Sequence, residues 1–215
     1  MWVYQQKKLN EMKITKESLE LTRKISDEIN NQTFHHHYHI LYDIANTFSS
    51  EKEVLYVEIG CYAGGSACLM LQRPNTKVIS IDLGKPISQS VVKNNVKKLN
   101  IHENYFDYIE GSSQDEKTIQ NLKSLILDKK IDILFIDGDH SYTGVQEDFK
   151  KYKDFVNSGG FIVFDDYNDS KYSPEVKKAV DELDFNGYIK LGVFGSEFGA
   201  RPSENQSNEF VIKKL

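Results

Sequence analysis

From Val54 onward the chain alternates short apolar runs with longer amphipathic stretches. The runs near residues 54–59, 77–82, 105–110, 131–137 and 160–165 are rich in Ile, Val, Phe and Tyr, as expected of strands buried on both faces of a parallel sheet. Helical periodicity predicts helices near 65–72, 87–99, 115–128, 142–157 and 174–184. In the helix after Asp139, Val145, Phe149, Tyr152 and Val156 recur at helical spacing, and Gly159-Gly160 is read as its end. This alternation predicts an α/β fold: a doubly wound, Rossmann-like, mostly parallel seven-stranded sheet with helices on both faces. Tyr188 to Phe194 and Glu209 to Lys213 are expected to be its last two strands, a C-terminal antiparallel hairpin. The polar loop between them carries Phe198 and Arg201, and either closes over a substrate or is a plain hairpin tip. Residues 1–50 read as an N-terminal helical annex to a domain spanning 51–215. In the annex Thr15 caps a helix bearing Leu19, Leu21, Ile25 and Ile29, and a second helix runs from about His36 to Phe48.

A chain of 215 residues suits one such domain with additions. The net charge of -5 argues against a nucleic-acid partner, and the lysines within 93–98 and 150–153 fall on predicted helices as solvated faces. No apolar stretch approaches the roughly 20 residues of a membrane span, and the first residues lack the apolar core of a signal peptide. The two cysteines, Cys61 and Cys68, make neither a zinc pattern nor a convincing disulfide, which points to a reduced, cytoplasmic setting.

The chemistry concentrates where two apolar runs end. Ile131 to Ile136 leads into Asp137-Gly138-Asp139-His140, and Phe161 to Phe164 leads into Asp165-Asp166-Tyr167. In open α/β sheets ligands sit beyond the carboxyl ends of the strands. If these strands are neighbours, four acids and an imidazole meet at one rim, a costly concentration of charge unless a cation sits among them. Successive strand residues point to opposite faces, so joint use of Asp165 and Asp166 requires the chain to turn at Asp166.

The first strand runs into Glu58-Ile59-Gly60-Cys61-Tyr62-Ala63-Gly64-Gly65-Ser66. Glycines here let the backbone turn tightly and approach a ligand, and the next helix offers its N-terminus to an anion. Gly60 and Gly64 stand four apart with Tyr62 between, which is wider than the dinucleotide fingerprint. Asp82, 22 residues after Gly60, ends the second strand where a carboxylate can accept ribose hydroxyls, or simply cap.

Glu58-x-Gly60-x-x-x-Gly64 with Asp82 resembles the cofactor motif of class I S-adenosylmethionine-dependent methyltransferases. The Phe135–Tyr142 and Gly159–Tyr167 segments resemble, more specifically, the macrocin and novobiocin sugar O-methyltransferases and the cephalosporin-hydroxylase-like branch. The resemblance implies that the backbone at Gly60 and Gly64, with Ser66, holds the methionine part of the cofactor, that Asp82 binds its ribose, that Gly111, Ser112, Ser113 and Gln114 edge its adenine, and that Glu58, Tyr62 and Asp137 also belong to the cofactor site. It implies a magnesium or other divalent ion on Asp137, Asp165 and Asp166, and a base that is either His140 or Asp139. Carboxylate oxygens suit such an ion, which lowers the pKa of a chelated hydroxyl, and an imidazole titrates near working pH. Tyr167, His36 and Arg201 are candidate substrate contacts. His35, His36, His37 and His39 read as surface or core-edge residues rather than a second metal site.

The expectation is therefore an O-methyltransferase that uses S-adenosylmethionine and a divalent metal on a small-molecule or sugar hydroxyl. No nucleic-acid or membrane partner is expected, and a homo-oligomer is possible. The rivals are a hydroxylase-like member of the same fold and a cofactor-binding module without catalysis.

Overall fold

The structure is a computed structural model that describes residues 15–29, 38–194 and 208–215. His36, Arg201 and most of the loop between the last two strands lie outside these residues. The chain runs α1 (Lys16–Glu28), α2 (His39–Ala45), β1 (Val54–Ile59), α3 (Gly65–Met70), β2 (Thr76–Asp82), α4 (Gln89–Leu99) and β3 (Tyr105–Glu110). It continues through α5 (Glu116–Ile126), β4 (Ile131–Ile136), α6 (Tyr142–Tyr152), β5 (Val156–Phe164), α7 (Val176–Asp181), β6 (Tyr188–Phe194) and β7 (Glu209–Lys214).

The sheet has the order β3-β2-β1-β4-β5-β7-β6. β1 to β5 are parallel, whereas β7 runs antiparallel between β5 and β6. The chain winds outward from β1 in both directions, so β1 and β4 flank the point where the order reverses. The apolar strands supply both faces. Leu55, Val57, Ile79 and Leu134 pack under α5, α6 and α7 with Leu122, Phe149 and Val180. Tyr56, Val78, Phe135 and Val163 pack on the other face with α3, α4 and the annex residues Ile25, Ile40, Leu41 and Ile44. The annex is thus part of one core layer. Thr15 caps α1 by accepting from the Ser18 N–H, and Asp43 of α2 accepts from the hydroxyls of Thr15 and Ser18. No helix among the described residues is long and apolar enough to cross a membrane.

The expected boundary after α6 is corrected. The helix stops at Tyr152, a single 3₁₀ turn follows, and β5 already begins at Val156. Val156 is buried because it pairs with Ile131 as a strand residue, not because it extends the helical stripe. The glycine pair sits inside β5 at a register irregularity, with Gly159 at φ +80°. A Cβ on Gly160 would stand 3.0 Å from the Asp132 carbonyl, so that close approach needs glycine.

At the amino end of the sheet Asp132 is buried, accepting from the Leu55 N–H at 3.1 Å and from the amide of Asn157 at 3.3 Å, beside the Lys52 ammonium. One carboxylate thus ties β1, β4 and β5 together. Asp132→Ala is expected to cost about 1–3 kcal/mol by stranding the buried Leu55 N–H, read as a lower urea midpoint. An unchanged midpoint would show that Asp132 does not join the strands.

Candidate active site

The carboxyl ends of the five parallel strands are stitched in sequence. The Gly60 N–H donates to the Ile81 carbonyl, Gly111 to Asp82, Asp137 to Ile59 and Asp165 to Ile136, all at 2.8–3.0 Å. Beyond them lies a cleft of about 680 Å³, lined by the turn after β1, the tips of β2 and β3, and the acids after β4 and β5. That volume falls in the range of small-molecule sites.

One wall is the glycine turn. Gly60 (φ +85°) and Gly64 (φ +82°) adopt left-handed backbone, and so does Tyr62 between them (φ 47°). Asp82 anchors this turn: one carboxylate oxygen accepts from the N–H groups of Cys61 (2.9 Å) and Tyr62 (3.2 Å), and the other from the Gly84 N–H (2.8 Å). Behind the turn lies Glu58, fully buried. Its carboxylate accepts from the hydroxyls of Tyr56 (2.8 Å), Ser66 (2.6 Å) and Ser80 (2.6 Å), which joins β1, β2 and α3.

Gly111 to Gln114, after β3, form a further part of the lining. It is fixed from α6: the Ser113 hydroxyl donates to buried Asp148 at 2.6 Å, Tyr152 donates to the Ser113 carbonyl, and Lys151 to the Gln114 carbonyl. Burial pushes the Asp148 carboxyl up to about 6.

The floor is acidic. Oxygen or nitrogen atoms of Asp137, His140 and Asp165 all lie within 4.8 Å of one another. His140 Nε2 is 3.2 Å from Asp137 Oδ1, and Nδ1 is 2.8 Å from Ser173 Oγ and 3.5 Å from Asp166 Oδ2. Asp166 has φ 55°, the turn that brings both consecutive acids to one rim. Tyr38, just before α2, donates its phenol to Asp137 Oδ2 at 3.0 Å. Burial and the neighbouring Asp165 hold the Asp137 carboxyl well above the usual carboxylate range. Burial and the same aspartates do likewise to Glu209 at the start of β7.

The structure thus brings Gly60, Tyr62, Asp82, Ser112, Ser113, Gln114, Asp137, Asp139, His140, Asp165 and Asp166 to one cleft. It places four predicted contacts elsewhere. Glu58 and Ser66 are bonded to each other behind the turn, so they shape it rather than face a ligand. Gly64 is the N-cap of α3, packed towards Val92. Tyr167 is buried, stacked on Phe210 at 4.8 Å with its hydroxyl donating to Asp181, so it belongs to the core. Sequence reasoning missed Tyr38, Ser173, Asp148 and Glu209. Only Glu209 carried a visible signal, an acid heading an apolar strand.

The methyltransferase domain family profile matches residues 57–167, just over half of the chain. An uncharacterized protein of Acanthamoeba polyphaga mimivirus is 44% identical over 161 residues, covering 74% of this chain and 72% of the relative. Among solved structures, a candidate O-methyltransferase from Klebsiella pneumoniae superposes with TM-score 0.63 at 12% identity, covering 90% of this chain and 89% of its own. A candidate methyltransferase from Streptococcus mutans, solved with SAH, gives TM-score 0.58 at 16% identity, covering 81% and 97%. Proteins described as rRNA methylases share the same fold.

Glu58 generates a pH prediction. Burial pushes its carboxyl up from 4.5 to about 7, against the three hydroxyls that pull it down. Between those values the folded protein holds a proton that the unfolded chain has released, so stability falls as pH rises through the window. Glu58→Gln has no such proton and is expected to abolish a slope on the order of 3 kcal/mol. Urea midpoints of parent and variant from about pH 4 to pH 8 provide the measurement; parallel curves would refute the buried carboxyl's role.

Proposed function

This chain belongs to the methyltransferase domain family, and from that premise we propose that it transfers a methyl group from S-adenosylmethionine to a hydroxyl of a small molecule or sugar. We place a divalent cation at the acidic rim and the reaction in the cytoplasm, where the free Cys61 and Cys68 stay reduced. The observation that carries the reading is the meeting of Asp137, His140 and Asp165 at the tips of β4 and β5, beside the left-handed turn after β1.

The residues fit both groups. The cleft has the volume for a nucleoside-bearing cofactor, with Asp82 and Ser112 to Gln114 in its lining. S-adenosylmethionine supplies a methyl group on a sulfonium, so the hard chemistry is the cofactor's. The acids at the rim repel one another, and burial with the neighbouring Asp165 holds Asp137 above its usual range, a setting that a divalent cation relieves. Asp137 and Asp165 would hold such a cation, which as a Lewis acid lowers the pKa of a hydroxyl bound to it.

The chain's own residues then have definite tasks. The turn at Gly60 to Tyr62, clamped by Asp82, fixes the wall against which the donor lies. The acids after β4 and β5 draw a diol's oxygens to the floor. Either Asp139, exposed on the cleft wall, or His140 takes the acceptor's proton.

Calorimetric titration with S-adenosylmethionine, with and without magnesium or manganese, tests the reading, followed by a screen of sugar and catechol acceptors. Saturable cofactor binding and metal-stimulated transfer to a hydroxyl are expected. Transfer to RNA alone, or no cofactor binding, would overturn it. Asp139→Asn and His140→Ala are each expected to lower kcat by about 10²–10⁴-fold while cofactor affinity stays the same. Full activity in both would remove these residues from the chemistry.

A further inference from the structure

We infer that His140 is a ligand of the rim cation through Nε2, held in that role by a relay from Ser173 to Asp166, and that the site therefore selects an imidazole-accepting first-row divalent ion such as manganese over magnesium. The inference rests on the cation reading above. It differs from the resemblance, in which three aspartates hold the ion and the histidine is free to act as base.

Hydrogen-bond accounting assigns the tautomer. Ser173 is buried, and its hydroxyl has a single hydrogen, which it donates to Asp166 Oδ2 at 2.7 Å, since a carboxylate only accepts. The Ser173 oxygen is then an acceptor, and the group 2.8 Å away is His140 Nδ1, so Nδ1 carries the proton. In the neutral imidazole Nε2 is left with a lone pair. That lone pair faces Asp137 Oδ1 at 3.2 Å, with an Asp165 oxygen in the same 4.8 Å group. A cation bound there would meet this nitrogen lone pair and two carboxylates at once. Ligating histidines are oriented by an acceptor on their other ring N–H, and here Ser173, backed by Asp166, is that acceptor.

The loop is built to deliver this relay. Asp166 turns the chain at φ 55°, and the Asp169 N–H donates back to the Asp166 carbonyl at 3.0 Å. Asp169 Oδ1 accepts from the N–H groups of Lys171 and Tyr172, fixing the path that brings Ser173 against the ring. Asp166 thus acts through Ser173, which accounts for its absence from the converging group. A donor set of one imidazole nitrogen and two carboxylates suits manganese, iron or zinc better than magnesium, which favours oxygen ligands alone. With His140 so engaged, Asp139 is the group left to take the acceptor's proton.

The test is pulsed electron paramagnetic resonance on the full chain loaded with Mn²⁺, comparing parent protein before and after ¹⁵N labelling of histidine alone. A nitrogen coupling that shifts with the label and vanishes in His140→Gln is expected. Calorimetry should show tighter binding of Mn²⁺ than of Mg²⁺, a loss of about tenfold or more in Ser173→Ala, and recovery in Ser173→Thr. Mn²⁺ bound without histidine coupling would overturn the ligand assignment and leave the cation site standing. A coupling that survives in His140→Gln would overturn it too. No Mn²⁺ binding, with S-adenosylmethionine still bound, would overturn both the assignment and the cation reading, and preference for Mg²⁺ would overturn the selectivity.

Discussion

The close approach of the β1 turn to the β4 tip is the constraint on which this molecule depends. A Cβ on Gly60 would stand 1.9 Å from the Asp137 carbonyl oxygen, and one on Gly138 would stand 2.9 Å from the Ile59 side chain. Neither position tolerates a larger residue without moving a strand end. Because both are glycine, the turn that forms the cleft wall and the acids that form its floor are pressed together. Groups bound on the wall and on the floor would then be neighbours, the proximity that a transfer reaction needs.

The same closeness makes the rim electrostatically unfavourable. Asp165, Asp166 and Glu209 are buried and Asp137 is nearly so, and burial together with the neighbouring aspartates disfavours the charged forms of Asp137 and Glu209. A folded core would not gather these groups for its own stability. They are tolerated because the sheet around them is apolar on both faces and over-determines their positions. Glu58 shows a milder form of the same strategy. It too is buried, but three hydroxyls answer its carboxylate, and the result is a rigid turn. Residues outside the α/β pattern stand against these acids: Tyr38 from the annex donates to Asp137, and buried Glu209 of the antiparallel strand lies near Asp165 and Asp137.

Much of the fold was legible in the sequence, because its signals are local. Five apolar runs with helical stretches between them specify a parallel sheet, since only strands buried on both faces lose the alternation of polar residues. The turn at Asp166 was legible for a similar reason, as two consecutive acids cannot serve one rim in an extended strand. The strand boundary at Val156 was not, because a buried valine has the same appearance at the end of a helical stripe and at the start of a strand.

What only the tertiary structure decided is which groups meet. Asp165 faces Glu209 because β7 inserts antiparallel beside β5, with Phe164 opposite Phe210. Ser173 reaches His140 across 33 residues, and Tyr38 reaches Asp137 across 99. Ser66 and Tyr167 have the chemistry of ligand contacts but are turned inward, towards Glu58 and Phe210. The sequence by itself determined the layers and the residue types at each strand end, since backbone periodicity and side-chain chemistry are written along the chain. Partner, direction and tautomer depend on contacts between segments far apart in it, and those exist only once the sheet has closed.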